Sequence, residues 1–190
     1  MLRSLLAVVS IIFIATCSMP ETKIYNLDIP IEQGSIQSTT DDSLVIRTDS
    51  PRYLAQPYIA YRSSPYQMEI ARYSKWDCSP KVMVSEGLRD ALFSTGLYRK
   101  VKILNIVPKE YYLLDVNLKR FERVDEGEQA YGELVLEVAY FNPEGKELYR
   151  STISKRVRLD DNSFLSLAKG LSSALVETVE EVKKNIIKTL

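Results

Sequence analysis

Few side chains in this sequence could carry chemistry, because its 190 residues include no histidine and only two cysteines, Cys17 and Cys78. Nucleophilic pairs of Ser or Cys with His, and metal sites built on imidazole, are therefore excluded. Two thiolates are also too few for a zinc site of four cysteines. The remaining cluster is acidic, Asp125, Glu126 and Glu128. It could serve a hydrolase that uses paired carboxylates, but a charge run is more often a solvent-exposed turn, so we expect no enzymatic activity.

The equal numbers of basic and acidic residues argue against a nucleic-acid partner. The chain has 25 basic and 25 acidic residues, so it lacks the basic surface that a nucleic-acid-binding protein needs. No G-x-x-x-x-G-K phosphate-binding loop is present, and we predict no cofactor. The length and a hydrophobic content of 45% are typical of one globular domain.

Residues 1–16 have the pattern of a secretory signal peptide. Arg3 precedes an apolar run from Leu5 to Ala15, which is interrupted only by Ser10. This run is shorter than the about 20 residues that a helix needs to cross a bilayer. We therefore predict that residues 1–16 are removed.

The residues after this run resemble the bacterial lipobox, in which small residues precede a cysteine that is acylated. Here the motif is Ile14-Ala15-Thr16-Cys17, with threonine where glycine or alanine is usual. The resemblance implies that Cys17 carries lipid, with palmitate among its acyl chains, and becomes the new N-terminus. Ser18 follows instead of the aspartate that retains enterobacterial lipoproteins in the inner membrane, which implies transfer to the outer membrane. Residues 17–22 would form a short tether.

If Cys17 carries lipid, Cys78 has no partner in the chain. We interpret Cys78 as a small packing residue, because a nucleophilic cysteine needs a neighbouring base and no histidine is available. An intermolecular disulfide is the remaining alternative in an oxidising compartment.

The pattern of apolar residues predicts an alternation of strands and two helices. The first helix follows the N-cap Ser79 and Pro80 and ends near Gly96, and the second begins at Asp161 or Asn162. The predicted strands are 23–29, 43–48, a hairpin within 57–73, 98–106, 111–123, 131–141 and 146–159. The last four of these strands, from 98–106 onward, are joined by short turns, so we expect them to form an antiparallel sheet. The turn between the last two is Asn142-Pro143-Glu144-Gly145.

This order of elements predicts an α+β fold over residues 23–190. Each helix has one apolar stripe, and a sheet with one solvated face has one face left to cover. We therefore expect a two-layer sandwich, with a largely antiparallel sheet and two amphipathic helices on one face. The hairpin tyrosines, which include Tyr61 and Tyr66, predict either cross-strand packing or an aromatic binding surface.

The sequence is similar to the ABC-type transport auxiliary lipoprotein family, which includes paraquat-inducible outer-membrane lipoproteins that work with MCE-domain lipid transporters. The similarity covers nearly all of the chain after Cys17. It rests on Tyr25-Asn26-Leu27, Leu44-Val45-Ile46, Pro51-Arg52-Tyr53-Leu54, Tyr58-Ile59-Ala60-Tyr61-Arg62, Tyr73, Trp76, Pro80, Leu88, Leu92, Leu113-Leu114-Asp115-Val116-Asn117-Leu118 and Phe121.

This resemblance implies a non-enzymatic lipoprotein in the outer membrane that faces the periplasm and assists a transport system for lipids or other hydrophobic compounds. The implied partners are an MCE-domain protein and an inner-membrane ABC transporter, and a homo-oligomer is left open. Trp76, Tyr61 and Tyr66 are the candidate contacts to a partner or lipid, although Trp76 could also be a half-buried anchor at the sheet edge. The alternative function is a periplasmic lipid-carrying protein with a cavity between the long helix and the sheet.

Overall fold

The computed structural model describes residues 20–30 and 40–189. The signal peptide and Cys17 lie outside this part of the chain. The strands are β1 (Lys23–Tyr25), β2 (Ser43–Asp49), β3 (Tyr58–Ser64), β4 (Gln67–Trp76), β5 (Lys100–Ile103), β6 (Tyr112–Glu126), β7 (Gln129–Phe141) and β8 (Glu147–Arg158). The helices are α1 (Pro80–Ser94) and α2 (Phe164–Ile187), and a short 3-10 turn covers Arg52–Ala55.

The eight strands form one sheet around β6. Along one edge β6 pairs with β7, and β7 pairs with β8, in antiparallel register. Along the other edge β6 pairs with β2 and then with β3, both in parallel. The antiparallel hairpin β3–β4 continues the sheet to β1, and β5 lies outside β2. The predicted α+β fold with a largely antiparallel sheet is confirmed.

One predicted neighbour relation is wrong. The sequence suggested that the strand beginning near Tyr98 forms an antiparallel sheet with the strands after it. In the structure β5 instead pairs with β2, as Ser43 lies opposite Lys100 and Ile46 opposite Ile103 in parallel register. Since β2 is also parallel to β6, β5 and β6 flank β2 and do not form a hairpin. A pattern of alternating apolar residues specifies a strand but not its neighbour.

A bulge in β6 decides which of its side chains face the helices. The register with β7 shifts between Leu118 and Arg120. Before the bulge Leu114, Val116 and Leu118 are buried, whereas after it Phe121 joins the core. The extra residue therefore changes, halfway along the strand, which alternate side chains face the helices: even-numbered residues before the bulge and odd-numbered residues after it.

Helix α1 begins as predicted, with Ser79 as N-cap and Pro80 at the first helical position. The start of α2 differs from the prediction, because its cap is Ser163 and neither Asp161 nor Asn162. The Ser163 hydroxyl accepts a hydrogen bond from the Ser166 amide at 3.1 Å, while the Asp161 carboxylate accepts one from the Ser163 amide at 2.8 Å. The Asp161 side chain therefore holds the backbone of Ser163, the residue that caps the helix, in place.

Both helices cover the same face of the sheet, as predicted. Leu88 and Leu92 of α1 and Leu171 and Leu175 of α2 are buried in one hydrophobic core, with the inward side chains of the sheet. The predicted turn at Asn142 is confirmed, with Gly145 at φ 81°. Within the described residues, neither helix is long and apolar enough to cross a membrane.

The Ser163 cap generates a testable prediction. Replacing Ser163 with alanine removes the acceptor for the Ser166 amide and should lower the free energy of unfolding by about 1 kcal/mol. Asn162→Ala is the matched control, since its side chain is not the cap and its backbone carbonyl is retained. Urea unfolding followed by circular dichroism measures both, and equal losses would contradict the assignment of the cap.

Candidate functional site

Trp76 lies in the core and has no exposed surface. Its ring packs edge to face against Phe121, with the centroids 5.6 Å apart. It is more buried than a sheet-edge residue would be, because β1 adds outside β4 and places Tyr25 opposite Trp76. Among the described residues its indole Nε1 has no hydrogen-bond partner. The structure therefore gives Trp76 a packing position and no surface for contact with a partner.

Tyr61 belongs to an aromatic cluster around Arg123, on the side of the sheet that faces the helices. The Arg123 guanidinium lies 4.9 Å from the centroid of the Tyr61 ring and 5.1 Å from that of Phe164. Arg123 also forms two hydrogen bonds with Asp125, at 2.8 and 2.9 Å, and donates to the carbonyl of Asn162. This Arg123 cluster joins β3, the end of β6 and the beginning of α2.

Tyr66 lies in the turn between β3 and β4, outside both the core position of Trp76 and the Arg123 cluster of Tyr61. The residue is 98% exposed. The structure thus places the three predicted contact residues in three environments: Trp76 in the core, Tyr61 half-buried in the Arg123 cluster and Tyr66 in solvent. Tyr66 is the one with a side chain fully available to another molecule. Contact with a partner or lipid through Tyr61 or Tyr66 stays a prediction.

The acidic cluster singled out in the sequence, Asp125, Glu126 and Glu128, lies at the turn between β6 and β7. Two of its three carboxylates pair with arginines. Asp125 pairs with Arg123, and Glu126 pairs with Arg156 at 2.7 Å. Glu128 is in the exposed turn. The arrangement matches a charged turn at the end of a sheet.

A larger group of charges lies on the sheet face opposite the helices and was missed by the sequence analysis. We call it the outer-face ionic network, and it consists of Arg62, Arg120, Glu122, Glu133 and Arg156 from four neighbouring strands. Glu122 and Glu133 lie directly opposite each other on β6 and β7. Arg62 donates to Glu122 at 2.6 Å, Arg120 to Glu133 at 2.7 Å, and Arg156 lies 3.5 Å from Glu133.

Glu122 is the most buried member of this network, and its side chain has no exposed surface. Its second oxygen accepts a hydrogen bond from the Tyr53 hydroxyl at 3.1 Å. Burial, and then the negative charge of Glu122, raise the pKa of Tyr53 to about 12. A buried carboxylate is tolerated only when it is paired and hydrogen-bonded, and Arg62 and Tyr53 meet both conditions. The network therefore fixes the position of the hairpin and of the 3-10 turn on β6.

A groove of about 330 Å³ lies between α1, α2 and the segment after β1. Leu27, Ile29 and Val179 contribute apolar surface, whereas Glu86 and Glu180 contribute carboxylates. The segment is tied to α2 by a hydrogen bond from the Asp28 amide to the Ser172 hydroxyl at 3.0 Å.

Cys78 also lines this groove and is not disulfide-bonded. Burial, and then the charge of Asp77, raise the pKa of its thiol to about 11. The thiol is therefore protonated at neutral pH and is a poor nucleophile. No group of three or more Cys, Asp or Glu side chains that could hold a metal ion occurs in the described part of the chain.

The buried position of Glu122 leads to a second prediction. Glu122→Gln keeps the shape of the side chain but removes the charge that Arg62 faces, and should lower the free energy of unfolding by about 2 kcal/mol. The control is Glu147→Gln, which breaks an ion pair with Arg150 in solvent and should leave the stability unchanged. Urea midpoints of the two variants and the wild type give the comparison, and a Glu122→Gln midpoint equal to that of the wild type would contradict the structural role of the network.

The model of the family described as ABC-type transport auxiliary lipoprotein component matches residues 25–183. Among curated proteins no match is found. Among solved structures the chain is similar to protein XCC0632 from Xanthomonas campestris, with 16% identity and a TM-score of 0.75 over 88% of this chain and 96% of that one. A crystal structure of an uncharacterized protein has 15% identity and a TM-score of 0.69 over 88% of this chain and 99% of its own.

The two structural similarities concern the fold, because both identities are below one fifth. The family match extends from Tyr25 in β1 to Lys183 in the last turns of α2, so it includes both layers of the domain. This confirms the resemblance on which the sequence analysis relied. The chain belongs to the ABC-type transport auxiliary lipoprotein family.

Proposed function

We propose that this protein is a membrane-anchored, non-enzymatic auxiliary component of an ABC transport system that moves lipids or other hydrophobic compounds across the bacterial envelope. The observation that carries the proposal is the family match over residues 25–183. Its partners would be an MCE-domain protein and, through it, an inner-membrane ABC transporter. A second copy of the chain could also take part, and no nucleic acid is expected.

The anchor in this proposal is lipid on Cys17. Strand β1 begins at Lys23, so Ser18 to Thr22 are the residues between the lipidated cysteine and the sheet. Five residues span at most about 18 Å when fully extended. The domain, residues 23–190, would be held close to the outer membrane on its periplasmic side.

The interactions of the charged groups support a role in binding and positioning. Asp125 and Glu126 are paired with arginines, and so are the carboxylates of the outer-face ionic network. The thiol of Cys78 is kept protonated by its surroundings. The paired charges hold strands and turns together in the folded domain.

Lipid attachment is tested by labelling cells with an alkyne fatty acid. The wild type and Cys78→Ala should incorporate the label, whereas Cys17→Ala should not. Cys78→Ala is the matched control because it removes the other cysteine of the chain. On a density gradient the labelled protein should sediment with the outer membrane. Label in Cys17→Ala equal to that in the wild type would contradict acylation at Cys17.

The transport role is tested by recovery of partners. The wild-type chain, cross-linked in intact cells and purified, should bring down an MCE-domain protein or a subunit of an ABC permease, identified by mass spectrometry. Cys17→Ala serves as the control for membrane attachment, and recovery should fall when the anchor is lost. A correctly lipidated chain that recovers neither class of protein would contradict the proposal.

The groove between the helices favours the second candidate function, a lipid-carrying protein. Its volume of about 330 Å³ is at the lower end of the range for ligand sites, roughly 300–1,000 Å³. It differs from the cavity expected between the long helix and the sheet, where Leu171 and Leu175 of α2 are packed into the core. Native mass spectrometry after gentle extraction distinguishes the two functions, since a bound lipid in addition to the covalent anchor would favour the carrier.

A further inference from the structure

An exposed apolar surface lies at the end of the sheet that carries the β3–β4 hairpin. We call it the hairpin face, and it consists of Ile24 in β1, Tyr58 in β3, Met68 and Ile70 in β4, and Tyr66 in the turn. All five side chains are exposed, Ile24 to 61%. Isolated exposed apolar residues are common on proteins, but a cluster of this kind marks a contact surface.

The strand register places four of these residues on the outer face of the sheet. Tyr61 and Glu69 are opposite each other and share a hydrogen bond on the helix side, which directs their neighbours in sequence to the other side. Met68 accordingly contacts Arg62 of the outer-face ionic network, with Nη2 and Sδ 3.7 Å apart. Ile70 is opposite Ala60 on the same face.

Strands β1 and β3 contribute to this surface on either side of Lys75 in β4. Both Tyr58 of β3 and Ile24 of β1 lie opposite Lys75 in the sheet, one on either side of β4. Residues opposite each other on neighbouring strands point to the same face. Ile24 and Tyr58 therefore continue the surface across β4.

The direction of β1 brings the predicted membrane anchor to this surface. Strand β1 is parallel to β4, with Lys23 opposite Ser74, so the chain before Lys23 leaves toward the β3–β4 turn. The six steps from Lys23 back to Cys17 can cover at most about 22 Å. The seven steps from Ser74 back to Gln67 measure at most about 23 Å along the strand. The tether is therefore long enough for the lipid on Cys17 to lie near the level of Tyr66.

The composition of the hairpin face is that of a membrane interface. Tyrosines are enriched where the hydrocarbon meets the lipid headgroups, because the ring is apolar and the hydroxyl remains hydrated. Arg72 and Lys75 belong to the same strand as Met68 and Ile70, and the Arg72 guanidinium lies 5.8 Å from the centroid of the Tyr73 ring. Cations at this position attract the anionic headgroups of bacterial lipids.

We propose that the hairpin face is a membrane-contacting surface that sets the orientation of the domain on the bilayer. The proposal rests on the membrane anchoring in the proposed function and adds the surface that meets the lipid. The occupant is the bilayer interface, because a chain held there by a tether of a few residues keeps this end of the sheet next to the headgroups. The acyl chains provide the attachment, and Tyr66 with its neighbours fixes the rotation of the domain about it.

The test measures the depth of residue 66 with a fluorescent side chain. The chain has a single tryptophan, Trp76, which is buried, so Tyr66→Trp adds one exposed reporter. The mature chain carries an N-terminal His tag in place of residues 1–17 and is bound to vesicles of phosphatidylethanolamine, phosphatidylglycerol and a nickel-chelating lipid. The tag keeps the position of the anchor without acylation, so a failure of lipidation at Cys17 does not affect this result.

Brominated acyl chains in these vesicles should quench the emission that Tyr66→Trp adds and shift its maximum to shorter wavelength. Phe93→Trp is the matched control, an exposed aromatic position in α1 on the helix layer, and its emission should not be quenched. Combining Tyr66→Trp with Met68→Ser and Ile70→Ser should reduce the quenching. The emission of Trp76 reports whether each variant is folded.

Two outcomes would overturn the proposal. The first is a Tyr66→Trp emission that brominated lipid leaves unchanged, or quenches no more than that of Phe93→Trp. The second is an emission that shifts only when an MCE-domain protein is added, which would make the hairpin face a protein-binding surface. Either result would leave lipidation at Cys17 to its own test by fatty-acid labelling.

Discussion

The pairing of β6 on both of its edges is the constraint on which the other elements depend. This fifteen-residue strand pairs with β7 along one edge, from Leu113 to Glu126. Its other edge is shared by β2 and then β3. Two strands can share one edge only if β2 ends before β3 begins, and the 3-10 turn at Arg52–Ala55 makes that step. Tyr53 of this turn is bonded to Glu122, so the junction between the two strands is fixed by the strand that they share.

The bulge in β6 explains why the sheet face opposite the helices has a buried carboxylate, Glu122. Without the register shift between Leu118 and Arg120, strict alternation would place Glu122 with Leu118 on the helix side, away from Arg62. The shift places Phe121 against Trp76 instead and turns Glu122 toward Arg62. The charge is then compensated, and the same residue holds the hairpin on β6.

The sequence predicts well what is decided by neighbouring residues. Ser79 before Pro80 and the turn beginning at Asn142 are local signals, and both are confirmed. The parallel pairing of β5 with β2 and the burial of Trp76 depend on strands distant in sequence, and no local pattern encodes them. The cap of α2 was displaced by one or two residues because Asp161, Asn162 and Ser163 are all good caps. Tyr66 was named from the sequence as a candidate contact and is exposed in the structure, but its role stays a prediction. The outer-face ionic network could not be found in this way, because it exists only once four strands are side by side.

The edge beside the hairpin face favours a partner that contacts side chains and not backbone. Among residues 20–30 and 40–189, the pairing of β4 along this edge is with β1, from Ser74 to Trp76. A sheet edge without such pairing invites addition of a strand from another chain. Between Ile70 and Lys75, however, the register of β4 with β3 is irregular, and the charged Arg72 is exposed there. Bulges and charges of this kind prevent edge-to-edge pairing. Because that route is blocked, the apolar side chains are the attractive feature of this end of the domain, and a bilayer interface, which needs no backbone hydrogen bonds from its partner, fits them.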